Sequence, residues 1–410
     1  MPKTVSLLSL GCFRNSYDSN TILKIFLDQG YIFKAQAVSC DLLVVNTCGF
    51  IDKAKEESVA AIRSALDLKA KGKVKKVLVL GCLVQRYQKE LSQTFPQVDY
   101  WQGVVDITRQ GFALSPLLPK AVAFLKICEG CINNCSYCAI PLIKGPLKSR
   151  SKKNIIDEVK FLNDHGIKEL NIIGQDITAW GIDTKEGSLA ELLKAVIKAA
   201  KNISWIRLIY MHPRHFSQGL IDIIAGEKKI CKYIDLPIQH INDEILKKMN
   251  RTVSRSLVID LLEKIRRRIP HVVVRSSIIC GFPGETERQH RELLGFLKEF
   301  RFERLGAFTY SREEGTAAYD FQQIHHATAR RRQKEVMLLQ QDIMQEYSAQ
   351  LIGQQIEVLV EDEQGDSFNA RSYRDAYEVD GIVSLKGDFK CGDFYKVTVV
   401  DAAGCDLAAK

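Results

Sequence analysis

The stretch CEGCINNCSYC, residues 128–138, places four cysteines within eleven residues. Packing does not call for such density, because a buried thiol acts as little more than a small hydrophobe. Cys131, Cys135 and Cys138 read C-x3-C-x2-C, and Cys128 precedes them across two residues. The number of ligands decides the chemistry: four thiolates close a metal site, whereas three leave one coordination position open.

Working outward, the chain has 410 residues, 46% hydrophobic and 26% charged, which is ordinary globular composition at a length that suggests two to three domains. No apolar run approaches the roughly 20 residues that span a bilayer. The start, MPKTVSLLSLGC, lacks the length and the small-residue cleavage site of a lipoprotein signal ending at Cys12. The expectation is a cytoplasmic protein without membrane association. Twelve cysteines in such a chain point to metal ligation or redox chemistry, because the cytosol keeps thiols reduced. The formal charge of +9 gathers in KGKVKK (71–76), KSRSKK (148–153) and two RRR runs (266–268 and 330–332). These suit an RNA-rich partner or simply solvated helix faces.

Residues 1 to about 115 alternate apolar strands with helical patterns. VSLLSL, DLLVVN and KVLVL each lead into a turn that carries a cysteine: Cys12, Cys48 and Cys82. A parallel α/β layer puts all strand C-termini on one edge, so three cysteines distant in sequence converge there. LSPLLPK (114–120) marks a boundary, since its two prolines break both helix and strand. Six β/α units follow between about 121 and 345, with strands in AVAFLKI, ELNIIGQD, WIRLIYM, YIDLPIQH, VVVRSSIICGF and LGAFTYS. Six units are two short of a closed eight-fold barrel, and their polar strand ends form its catalytic face. GQQIEVLVED, ARSYRDAYEVDGIVSL and DFYKVTVVD then read as short strands of a small β-barrel. The fold class is therefore α/β, with an amino-terminal domain over 1–116, a partial (β/α)6 barrel over 121–345 and a β-barrel over 350–410.

Four readings compete for the cysteine-rich loop. Structural zinc usually pairs two separated C-x2-C knuckles. Ferredoxin-type clusters read C-x2-C-x2-C-x3-C-P, and here the spacings differ and Pro141 comes late. Four inert thiols is the third reading. The last uses only Cys131, Cys135 and Cys138 on a [4Fe-4S] cube, leaving an iron open, with Cys128 as a packed thiol.

C-x3-C-x2-C with an aromatic before its last cysteine, at the end of the first strand of a six-fold series, resembles the radical S-adenosylmethionine (SAM) superfamily. SLGC, NTCGF, LGC, YCAIPLIKGPLKSRS, IIGQDITAWG, LPIQH, IICGFPGET, YSREEGT and RSYRDAYEVDGIV together resemble the radical SAM methylthiotransferases over essentially the whole chain. The resemblance implies two [4Fe-4S] clusters and SAM as cofactors, and a carboxy-terminal TRAM domain. It implies Cys12, Cys48 and Cys82 as ligands of one cluster and Cys131, Cys135 and Cys138 as ligands of the other. By position Tyr137 fills the slot near adenine, Gln175 and Asp176 of GQD replace the usual Gly-Gly-Glu that faces the methionine amino group, and Gln239 and Gly281 fall on strands that line the SAM pocket.

Within that family, IIGQDITAWG and LPIQHINDEILKKMNR are similar to the branch that adds a methylthio group to the β-carbon of an aspartate in small ribosomal subunit protein twelve. The tRNA branch usually carries Asn-Val-Asn after the Gly-Gln and Ser-Gly-Ser in the fourth strand. The implied partners are that ribosomal protein, an electron donor, a sulfur source and nearby RNA. Two alternatives stand beside it: methylthiolation of a tRNA adenosine, and a non-catalytic cluster-bearing RNA-binding protein.

Overall fold

The computed structural model describes residues 2–35, 39–105, 112 and 114–410. The first layer is a five-stranded parallel sheet in the order Ile32–Phe33, Thr4–Ser9, Cys40–Thr47, Val74–Gly81, Tyr100–Gln102. Cys40–Thr47 lies at its centre and is buried along nearly its whole length, which is why DLLVVN reads as a continuous apolar run rather than an alternating one. The two flanking strands at the sheet's edges were not legible in sequence, being two and three residues long.

The second layer is a six-stranded parallel sheet whose strands stand in chain order: Val122–Lys126, Glu169–Ile173, Trp205–Leu208, Ile230–Asp235, Val273–Cys280 and Arg304–Thr309. Helices join neighbouring strands, the arrangement that right-handed β/α crossovers produce. Local capping fixes several helix starts. Ser188 and Glu191 form a reciprocal capping box before Leu189–Ala199, as Thr286 and Gln289 do before Glu287–Phe300.

A closed five-stranded barrel ends the chain, built from Gln355–Gln364, Ser367–Ser372, Val383–Leu385, Asp406–Ala409 and Phe394–Ala403. The middle of RSYRDAYEVDG is not a strand, as the alternating pattern suggested, but a turn-rich loop packed on the six-stranded sheet. Arg371 pairs with Glu169 at 2.5 Å, Arg304 with Asp375 at 2.5 Å, and the Tyr233 hydroxyl donates to Asp380 at 2.6 Å. Glu169 and Arg207 are fully buried and bonded to each other at 2.8 Å, so this junction is an interior ion network and not a flexible tether. None of the described helices is long and apolar enough to cross a membrane.

Candidate functional site

Cys12, Cys48 and Cys82 follow three strands that are neighbours in the first sheet. Cys12 is the N-cap of helix Phe13–Asp28, Cys48 directly follows Cys40–Thr47, and Cys82 opens helix Cys82–Thr94. The adjoining glycines explain how the three turns crowd together. Gly11 has φ +90°, and a Cβ there would lie 2.9 Å from the Cys48 sulfur; Gly81 has φ +104°, and a Cβ there would lie 2.3 Å from Asn46 Oδ1. Only glycine meets both demands without strain. Asn15 ties the turns, donating to the carbonyls of Leu10 (2.8 Å) and Thr47 (3.0 Å) and receiving the Cys82 thiol at 3.7 Å.

The electrostatics within this trio are unequal. Burial alone would raise the Cys12 thiol, yet the Arg14 guanidinium, by its charge and its hydrogen bond, brings it below a free thiol's value. Burial pushes Cys82 up to about 12. Cys48 is raised by burial and by the nearby Cys12.

The second trio lies on the loop after Val122–Lys126. Ser136 pins this loop, its backbone donating to Met249 O (2.9 Å) and its hydroxyl to Lys248 O (2.8 Å). Asn133 offers the Cys131 sulfur a backbone donor at 3.4 Å and a side-chain donor at 3.6 Å, and Arg251 approaches the Cys135 sulfur at 3.9 Å. Cys128 stands apart. It is 1% exposed, its thiol faces Asp176 O at 3.7 Å, and a Cβ on Gly174 would come within 2.6 Å of its sulfur. The geometry is that of a packed thiol beneath the Gly174 turn.

A cavity of about 410 Å³ opens between the two layers, walled by Cys12 from one trio and by Cys131, Cys135 and Cys138 from the other. Tyr137, Gln175, Asp176 and Gln239 also line it. Tyr137 Oη receives Arg251 Nη1 at 3.0 Å. Asp176 accepts from Asn133 Nδ2 at 2.7 Å and from the Thr178 backbone at 3.0 Å. Gln239 adopts φ +70° and is held by backbone bonds to Ser277 and Ile279. Gly281 is the exception, standing outside the cavity wall. It has φ +73°, and a Cβ there would sit 2.3 Å from Ala329 Cβ, so this glycine admits the helix His326–Ala349 against the sheet.

Sequence reasoning passed over several residues that share the wall, among them Arg14, Tyr210, His212, Arg251 and Arg275. His212 caps the short turn Pro213–His215 after the strand Trp205–Leu208. Burial, then the positive charge of Arg251, depress its imidazole to about 2, which keeps it neutral. The signal for Arg14 was its place two residues after Cys12. For Arg251 and Arg275 there was none, since their partners come from distant segments.

Six thiols in two sets of three, with all twelve cysteines free of disulfides, match the soft-donor chemistry of iron-sulfur clusters. Residues 4–103 match the uncharacterized protein family UPF0004, residues 125–297 the radical SAM superfamily, and residues 352–410 the TRAM domain. A protein of Thermoanaerobacter sp. (strain X514), named ribosomal protein uS12 methylthiotransferase RimO, is 38% identical, with all of both chains covered. One of the same name from Phocaeicola vulgatus is 40% identical over 99% of this chain and 98% of its own. Among solved structures, the radical S-adenosylmethionine methyltransferase TsrM from Kitasatospora setae, with cobalamin and a [4Fe-4S] cluster bound, superposes with TM-score 0.54 at 14% identity over 78% of this chain and 77% of that one. At that identity the likeness is one of fold.

Proposed function

The chain belongs to the family of ribosomal protein uS12 methylthiotransferases RimO, and from that premise we propose how its own residues carry the reaction. It is a radical SAM methylthiotransferase, and the acceptor carbon is the β-carbon of a uS12 aspartate. One observation carries the division of labour: Cys12 of the amino-terminal trio and all three cysteines of the C-x3-C-x2-C loop face the same cavity. A carbon held in that cavity is within reach of both metal sites, which is the positioning such a transfer demands.

In this reading Cys131, Cys135 and Cys138 hold the cluster that meets SAM, and Cys12, Cys48 and Cys82 hold the second. When bound, the clusters and SAM supply the electron transfer, the hydrogen abstraction and the donated sulfur and methyl groups. Tyr137, Gln175, Asp176 and Gln239 orient SAM, with Asp176 offering a carboxylate to its ammonium group. Asn133 and Arg251 steady the loop thiolates by hydrogen bonding. The working units are residues 1–116, 121–345 and 350–410. The TRAM match and the basic charge support contact with RNA beside uS12. An electron donor and a sulfur source act as external partners, and the work is done in the cytoplasm.

The test is anaerobic reconstitution with SAM, reductant and a uS12 peptide that carries the target loop. A mass gain of about 46 Da on the aspartate, with 5′-deoxyadenosine released, is expected. Methylthiolation of tRNA adenosine with no change in the peptide would replace this reading by its tRNA alternative.

A further inference from the structure

Three cations line the cavity: Arg14, Arg251 and Arg275. Arg275 lies between Asp235 (3.1 Å) and Asp380 (3.5 Å), so its charge is already matched. Arg251 gives Nη1 to the Tyr137 hydroxyl and Nη2 to Pro237 O at 2.6 Å. Arg251, like Arg14, has no carboxylate partner among the described residues, and its Nε is buried without an acceptor, so Arg14 is set apart by the groups it bridges. The Arg14 Nε donates to the Cys12 sulfur at 3.4 Å and its Nη1 to Gly174 O at 3.3 Å. Among the described residues no carboxylate pairs with it, and its Nη2 has no acceptor.

Its position is particular. Cys12 belongs to the amino-terminal trio, whereas Gly174 covers Cys128 and leads into Gln175 and Asp176, so this one guanidinium spans both halves of the cavity. Beneath it lies the Tyr210 ring, with the guanidinium carbon 4.3 Å from the ring centroid. Tyr210 takes a left-handed φ of 67°, a conformation disfavoured for an aromatic residue and kept only where the surroundings fix it. Asp235 does so by accepting the Tyr210 backbone N–H at 3.0 Å, and Ile177 by donating to its carbonyl at 3.0 Å. A guanidinium stacked on a ring keeps its edge available, and that edge matches a planar carboxylate.

We infer that Arg14 recognises the carboxylate of the acceptor, and so selects an acidic side chain as substrate. The inference rests on the aspartate reading above and adds the residue that enforces it. In aspartate the β-carbon is bonded directly to the carboxyl carbon, so a carboxylate held by Arg14 leaves that carbon between the two cysteine trios. The same guanidinium could instead meet the carboxylate of SAM, and the test separates the two.

Dissociation constants are measured anaerobically on the reconstituted holoenzyme for a uS12 loop peptide and for the same peptide with its target Asp changed to Asn. Wild type is compared with Arg14→Gln, and SAM affinity is measured on both. A charge-assisted pair corresponds to about tenfold in affinity or more. Wild type is expected to prefer the Asp peptide by about that factor, and Arg14→Gln to prefer neither, with SAM affinity within about twofold. A preference that survives in Arg14→Gln overturns the inference and leaves Arg14 as a counter-charge to Cys12. A fall in SAM affinity with the preference intact assigns the guanidinium to SAM and overturns it too. Equal binding of both peptides by a wild type that still modifies the Asp peptide defeats the role of Arg14 alone. Modification of tRNA in place of the peptide defeats the aspartate reading itself. Should Arg14→Gln fail to hold iron, Arg14→Lys carries the test: a single ammonium is expected to reduce the preference to about threefold, and an undiminished preference overturns the inference.

Discussion

Lys126 Nζ lies 2.5 Å from Asp18 Oδ1, an ion pair buried between the first strand of the six-stranded sheet and the helix that Cys12 caps. Lys144 reaches the other Asp18 oxygen at 2.9 Å and Glu129 at 3.1 Å, and Lys126 also pairs with Glu129. Two lysines and two carboxylates thus balance at the seam between the layers. Glu129 passes the contact on to Gln175 at 3.2 Å, so this quartet joins the element that bears Cys12 to the turn that bears Asp176. A second clasp lies across the cavity, where Glu313 receives Arg86 at 2.6 Å and Lys55 at 3.1 Å.

Removing one charge from the quartet should loosen the seam. Asp18→Asn leaves two buried lysines facing one carboxylate, and breaking a buried pair in this way typically costs about 3–5 kcal/mol. Urea denaturation of the reconstituted protein should show a lower midpoint. A midpoint within error of wild type would mean that the layers are held by packing alone. The quartet also sets an acid limit. Burial opposes ionisation of Glu129, but Lys126 and Lys144 outweigh it and hold its carboxyl at about 2. Because that value lies below the unfolded one, its contribution is fully present above about pH 4.5 and is lost as pH falls toward 2.

At the opposite end, Glu169 binds Arg207 and Arg371 and so docks the carboxy-terminal barrel on the sheet. Glu169→Gln leaves the buried Arg207 without a carboxylate and Arg371 with Glu361 alone, and should cost about 3–5 kcal/mol. Limited proteolysis near residue 350 should then accelerate. The same junction bears on truncation, because Asp380 pairs with Arg275 on the cavity wall. Ending the chain before residue 350 is therefore expected to impair SAM cleavage as well as substrate modification. Wild-type cleavage by the truncated protein would show the barrel to be a separable module.

The readable and unreadable parts of this chain divide by distance. The strands were legible because apolar runs such as DLLVVN and ELNII are local signals, and their cysteine ends followed from parallel topology. The ion networks were not, because Lys126, Glu169 and Arg371 look like solvent-facing charges until partners from remote segments arrive. The basic runs show the same effect: Arg266 pairs with Glu303 at 2.8 Å and Arg332 with Glu285 at 3.2 Å. Part of the charge that pointed to RNA is thus spent inside the protein. The packing role of Gly281 was hidden for a related reason, since the helix that needs its missing side chain lies almost fifty residues downstream.

Metal content separates the two trios. Reconstituted wild type should hold about eight iron atoms per chain, and Cys131→Ala or Cys12→Ala about four each. Cys131→Ala should abolish 5′-deoxyadenosine formation. Cys12→Ala should spare that uncoupled reaction and lose methylthiolation, since its trio lies on the other layer. Undiminished cleavage in Cys131→Ala, or total iron loss in either variant, would contradict two independent sites.

The fourth cysteine of the loop admits the sharpest test, because its neighbour is a glycine for a steric reason. The Cys128 sulfur occupies the space into which a Cβ on Gly174 would project, at 2.6 Å, and its thiol is raised by burial and by nearby carboxylates. If it only packs there, Cys128→Ala should retain both clusters and lose about 1 kcal/mol of stability through the small cavity left behind. Gly174→Ala should cost about 1–3 kcal/mol by overpacking and should displace the turn that bears Gln175 and Asp176, raising the Kd for SAM. The double variant then restores room for the new methyl group, so its stability and SAM affinity should recover toward those of Cys128→Ala alone. Additive losses in the double variant would remove the steric account, and loss of iron in Cys128→Ala would make Cys128 a fourth ligand.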